Sequence, residues 1–140
     1  MKKKFRFLFL VAVIMFVFSS TAFAAGNSVT YKADTVLAFQ DGNPIGAFSI
    51  NSAPFDTYAS ISVSKVNVTY QQYWTIEYAG KVVDKTNAAS VLVEDTGLLS
   101  QASWAYDFPT KGTYTIKLWI KRANTTDKYQ AVASHAFKAY

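Results

Sequence analysis

Apolar and polar residues alternate with a period of two along most of the chain after residue 28. Val29, Tyr31 and Ala33 share one phase, which continues through Leu37 and Phe39, and Gln40-Asp41-Gly42-Asn43-Pro44 ends this first predicted strand in a turn. Ala47 to Ile50 is a short second strand with Phe48 and Ile50 on one face, and Asn51 to Asp56 is a loop. Ile61 and Val63 then alternate with Ser60, Ser62 and Ser64. After Lys65 the phase slips, so that Val66, Val68 and Tyr70 take the apolar side. A one-residue slip reverses every face, which predicts a bulge near Ser64-Lys65. Trp74, Ile76 and Tyr78 form one face of the next strand and Tyr73, Thr75 and Glu77 the other.

Ala79-Gly80-Lys81 reads as a tight connection into Val82-Val83, Thr86 to Ser90 as a loop, and Val91-Leu92-Val93 as a short strand ended by Glu94-Asp95-Thr96-Gly97. Trp104, Tyr106 and Phe108 share a parity. Pro109-Thr110-Lys111-Gly112 is a turn, and Tyr114, Ile116, Leu118 and Ile120 then alternate with Thr115, Lys117, Trp119 and Lys121. After a turn at Asn124–Asp127, the last strand, Tyr129 to Ala139, turns Ala131, Ala133 and Phe137 inward. No segment after residue 28 has a helical period. Short strands at this spacing predict an all-β sandwich or barrel.

The first residues follow another logic. Lys2 to Arg6 is cationic, Phe7 to Phe18 is apolar throughout, and Ala22-Phe23-Ala24 closes the segment. These are the three regions of a secretory signal peptide, with cleavage expected after Ala24. The apolar run is shorter than the roughly 20 residues a membrane-spanning helix needs. The expected organisation is a signal peptide over 1–24, helical when it forms, and one domain over 25–140. The chain has no cysteine. An exported domain without disulfides is similar in this respect to proteins released by Gram-positive bacteria, which implies a secreted bacterial protein.

The formal charge of +5 does not mark a nucleic-acid binder, because four of the fourteen basic residues lie in the signal segment and the rest nearly balance the nine acidic ones. Without cysteine there is no thiol nucleophile and no cysteine-bound metal, and the single His135 excludes a multi-histidine site. His135, near the end of the last strand with Ala133 and Phe137, reads as a hydrogen-bonded strand histidine, there being no nucleophilic-serine signature for it to serve. The remaining carboxylates stand singly apart from Glu94-Asp95, and so predict neither a glycosidase pair nor a calcium loop.

Phe108-Pro109-x-x-Gly112-x-Tyr114-x-Ile116-x-Leu118 resembles the E–F corner and F strand of immunoglobulin-like sandwiches, especially the polycystic-kidney-type and bacterial Ig-like modules. The resemblance implies an antiparallel immunoglobulin-like sandwich of about seven to nine strands. It implies that the Tyr114 hydroxyl bonds back to upstream backbone at the corner, with Gly112 before it as a structural residue; Trp74 and Trp104, each in phase with other apolar residues of its segment, are the further structural residues expected. Asp95-Thr96-Gly97 after Val91-Leu92-Val93 is similar to the aspartic-protease triplet. Glu94 stands where that family keeps an apolar residue, and the flap is missing, so the triplet reads as a strand end in a polar turn. No catalytic residue, metal site or cofactor is expected.

Aromatic residues are in excess. Trp119 on the polar side of its strand, Lys117 and Lys121 on either side of it, and Tyr73 beside Thr75 and Glu77 are the candidate binding residues. The expectation is a non-catalytic domain that binds an extracellular protein or a cell-envelope glycan. Two other readings stand beside it: a protease inhibitor inserting Asn51–Asp56 or Asn124–Asp127, and a self-associating surface or matrix protein.

Overall fold

The computed structural model describes residues 28–40, 42–49, 54–95 and 97–140. The expected signal peptide and its cleavage site lie outside the described residues. The chain divides into a first unit, Met1–Thr30, and a second, Tyr31–Tyr140. The second is all β. Its strands are β1 (Tyr31–Gln40), β2 (Asn43–Pro44), β3 (Ala47–Phe48), β4 (Phe55–Val63), β5 (Val68–Tyr78), β6 (Lys81–Lys85), β7 (Ala89–Val93), β8 (Gly97–Trp104), β9 (Gly112–Arg122) and β10 (Gln130–Ala139).

They form two sheets, one ordered β2-β1-β4-β8 and the other β3-β10-β9-β5-β6, with β7 also pairing β5. All pairings are antiparallel except that of β3 with β10. This is an immunoglobulin-like antiparallel β-sandwich. β4 and β9 bury alternate residues along their whole length, from Phe55 to Val63 and from Tyr114 to Ile120. The strands therefore present one apolar face each, and the two faces close over a common core.

Two indole N–H groups lie in that core, and each donates to a buried hydroxyl. Trp74 Nε1 reaches Ser100 Oγ across the sandwich at 2.9 Å, and Trp104 Nε1 reaches Thr57 Oγ1 at 3.0 Å. Phe48, Phe55, Phe108, Phe137 and Tyr114 pack around one end of the core, with Phe48 4.7–5.1 Å from Phe55, Phe108 and Phe137. The Tyr114 hydroxyl donates to the Thr110 carbonyl at 2.8 Å, which ties the start of β9 to the corner before it. At Gly112 φ is +146°, and a Cβ there would stand 2.9 Å from the Tyr78 ring. Glycine thus lets Tyr78 lie over the strand start, stacked on Tyr114 at 4.7 Å.

Five local readings need correction. The phase slip after Ser64 is no bulge within one strand: β4 ends at Val63, and the chain crosses to the other sheet before β5. The crossing is held by Asn67 N–H to the Val93 carbonyl (2.7 Å) and by the Tyr70 hydroxyl to the Lys65 carbonyl (2.6 Å). In β1 the register shifts between Ala33 and Thr35, so Ala38, not Leu37 or Phe39, is fully buried. In β10 a shift between Ala131 and Ala133 leaves Ala131 exposed on the outer face, opposite Trp119. Phe55 and Asp56 open β4, and Ala89 and Ser90 open β7, rather than belonging to loops. Finally, residues 97–104 form a complete strand, β8, that the alternation did not reveal.

Candidate functional site

The outer face of the larger sheet carries its own aromatic cluster. Tyr73 on β5 and Trp119 on β9 are register partners, and their rings lie parallel, 7° apart in plane, with centroids 6.1 Å apart. Tyr129, on the segment entering β10, meets Tyr73 edge to face at 4.8 Å. The turn before it is stapled: Arg122 grips Asp127 through Nε (2.5 Å) and Nη2 (2.9 Å), and Thr125 bonds the Arg122 carbonyl at 3.0 Å. That fork holds the Asp127 carboxyl below the usual carboxylate range, the Arg122 hydrogen bond being the main cause.

The edge beside β5 explains why a groove opens there. β6 pairs with Thr75–Tyr78 and β7 with Val68–Gln72, and between them the chain leaves the sheet at Thr86. Thr86 keeps the backbone satisfied at the break. Its N–H donates to the Trp74 carbonyl at 2.9 Å, and its Oγ1 accepts the Trp74 N–H at 2.9 Å. The detour of Thr86, Asn87 and Ala88 becomes a wall. With Tyr73 and Tyr129 opposite, Thr75, Val82 and Lys85 complete an open cavity of about 450 Å³. Burial raises the Tyr73 hydroxyl above the ordinary tyrosine range, and Tyr129 beside it acts in the same direction, so this ring stays neutral.

The sequence-predicted residues take distinct places around this cavity. Tyr73 lines it. Trp119 does not: it is half-buried behind Tyr73, and its indole N–H is spent on Thr75 Oγ1 at 2.9 Å. Thr75 lies on the outer side of the strand yet is only 2% exposed. Trp119 thus supports the wall rather than forming it. Lys117 is paired with Glu77 at 2.7 Å, with its Nζ 6.0 Å from the Trp119 ring, and Lys121 Nζ lies 5.1 Å from the Tyr129 ring. Trp74, Trp104, Tyr114 and Gly112 sit in the core or at the corner, as described above. His135 is half-buried in β10 opposite Ile116, and Asp95 is exposed between β7 and β8. Among the described residues, no three His, Cys, Asp or Glu side chains gather as a metal site.

Sequence reasoning missed Tyr129, Lys85, Thr86, Asn87 and Val82. The Thr86–Ser90 polar stretch marked a loop, but nothing in it showed that the loop would interrupt an edge beside Tyr73.

No protein-family model matches the sequence, and no curated protein matches it. Solved structures do match in fold. The CARDB domain of a Pyrococcus furiosus protein, solved in complex with di-metal ions, is similar at 13% identity with a TM-score of 0.50, over 81% of this chain and 88% of that one. The C-terminal domain of Wzt is similar at 12% identity with a TM-score of 0.53, over 79% of this chain and 73% of that one. At these identities the likeness establishes the sandwich fold alone.

Proposed function

We propose that this is a non-catalytic binding domain of the cell exterior that takes a cell-envelope glycan in the groove beside Tyr73. The observation that carries the reading is the join of Tyr73 and Tyr129 to a polar wall of Thr75, Lys85, Thr86 and Asn87 around one concavity. Sugars offer C–H faces to aromatic rings and hydroxyls to short polar side chains, and this groove supplies both kinds of group side by side. Its volume lies in the range of small-ligand sites, and it is concave where protein–protein patches are broad. Trp119 and the Arg122–Asp127 staple hold the two tyrosines in place, which reduces what binding must spend on ordering them. The signal-type N-terminus is what places the domain outside the cell in this reading.

The test is co-sedimentation of the purified protein with purified Gram-positive cell wall, repeated with Tyr73→Ala and Tyr129→Ala. The expected result is retention of the wild type and loss of at least about tenfold in affinity for each variant, the size of an aromatic hot spot. Wild-type protein that stays in the supernatant, or variants that sediment like wild type, would defeat the proposal.

A further inference from the structure

The edge strand of a sheet leaves alternate N–H and C=O groups unpaired, and another strand adds there unless something blunts it. Among the described residues, three of the four edges of this sandwich are blunted. In the four-stranded sheet, β2 is two residues long and ends in Pro44, which has no N–H to offer. Beyond β2, the same edge of β1 carries Lys32 and Asp34 and the register shift between Ala33 and Thr35. In the six-stranded sheet, β3 is two residues long and covers only Lys138 and Ala139 of β10, and the rest of that edge, along β10, is bent by the register shift between Ala131 and Ala133. The opposite edge, β6 and β7, is broken at Thr86 and carries Lys81, Asp84 and Lys85.

The fourth edge is β8, and it has none of these devices. Among the described residues it pairs with β4 only, in one unbroken register from Phe55↔Trp104 to Ser62↔Gly97. It is eight residues long, about 27 Å at 3.4 Å per residue. It contains no charged residue and no proline. Leu99 on its outer face is 64% exposed, and Gln101 and Ser103 beside it are exposed too. The charge nearest on that face, Asp56 on β4, is held by a hydrogen bond from Ser103.

We propose that β8 is a strand-addition edge for a second copy of this chain. The two β8 strands pair antiparallel about a two-fold axis and join two four-stranded sheets into one of eight. Charge decides the occupant. Across a two-fold axis a strand meets its own sequence run backwards, so any lysine or carboxylate on it comes close to its like. Gly97–Trp104 is neutral throughout and opposes itself without repulsion, which none of the charged edges does. The pairing also covers part of Leu99. The groove beside Tyr73 lies on the other sheet, so the dimer leaves both grooves open, and this inference stands or falls independently of the glycan reading.

The experiment has two parts. Light scattering of the purified protein across a wide concentration range should show the mass doubling and then levelling off. Leu99→Lys and Gln101→Lys should remain monomeric at every concentration, and should share the wild-type melting curve at concentrations where the wild type is itself monomeric, since both positions are exposed. Because the chain has no cysteine, single cysteines at Leu99, Gln101, Ser103 and, as a control, Lys32 then locate the contact. Oxidative cross-links should form from the β8 positions and not from Lys32. A wild type that stays monomeric overturns the proposal. So does growth beyond two copies, a dimer indifferent to both lysine variants, or cross-linking from Lys32 alone.

Discussion

Tyr114→Phe isolates one hydroxyl, which donates to the Thr110 carbonyl and is also hydrogen-bonded with Tyr106. Tyr114 is 1% exposed, with its ring 4.8 Å from Phe108, 4.7 Å from Tyr78 and 6.3 Å from Phe137. Phenylalanine keeps all of those ring contacts and removes only the hydroxyl that donates to the Thr110 carbonyl at 2.8 Å. A buried hydrogen bond contributes about 1 kcal/mol net, and more when its partner stays dry. Thr110 is exposed, so water can reach its freed carbonyl, which keeps the cost near about 1–2 kcal/mol. For a domain near 100 residues, each kcal/mol moves the melting temperature by at least about 4 °C. Tyr114→Phe should therefore melt about 4–8 °C below wild type, with an unchanged denaturant m-value. Tyr114→Leu loses ring contacts as well and should cost about 3 kcal/mol or more. The assay is paired thermal and urea unfolding of the three proteins. A Phe variant that melts with wild type, or one as damaged as the Leu variant, would refute the assignment of the corner's strength to the hydroxyl.

Gly112→Ala should cost about 1–3 kcal/mol, because φ of +146° strains an L residue and the new Cβ meets the Tyr78 ring at 2.9 Å; urea unfolding reads it directly. The Asp127 carboxyl is held below its unfolded value by Arg122, so its stabilising contribution is present above about pH 4 and is lost as pH falls through the folded value. In melting curves against pH, Asp127→Asn should flatten that acid limb. Tyr31 runs the other way. Burial chiefly, with Tyr70 and Asp127 nearby, pushes its hydroxyl up to about 12. Its contribution is therefore complete below about pH 10 and fades as pH rises from there towards about 12, a loss that Tyr31→Phe should remove. Trp119→Phe should weaken wall binding less than Tyr73→Ala does, because the indole supports Tyr73 through stacking and Thr75 without lining the groove.

β9 was legible residue by residue, since its alternation from Tyr114 to Ile120 is unbroken and every inward position is apolar. β8 was hidden because two of its inward positions are Ser100 and Ala102. Ser100 is there to accept the Trp74 indole, so a polar residue stands where the pattern demands an apolar one. Bulges in β1 and β10 displaced the inferred faces of Leu37, Phe39 and Ala131, because a single inserted residue reverses parity and leaves no mark in composition. A crossing between sheets reverses it as well, so the slip at Ser64-Lys65 read as a bulge. Of the site, Tyr73 and the presence of Trp119 on the outer face could be inferred from parity. The groove could not. It needs Tyr129 from across the sheet and the broken edge at Thr86, and sequence neighbours carry no record of either.

Occupation of the groove beside Tyr73 by a glycan can be read residue by residue from amide and side-chain shifts during a titration. The purified protein, isotope-labelled, is titrated with a soluble digest of Gram-positive cell wall. Saturable shifts are expected at Thr75, Lys85, Thr86, Asn87 and Tyr129, with Leu37 and Tyr58 on the opposite sheet unmoved. Shifts confined to β1, β4 or β8, or no saturable shift at all, would contradict that occupation.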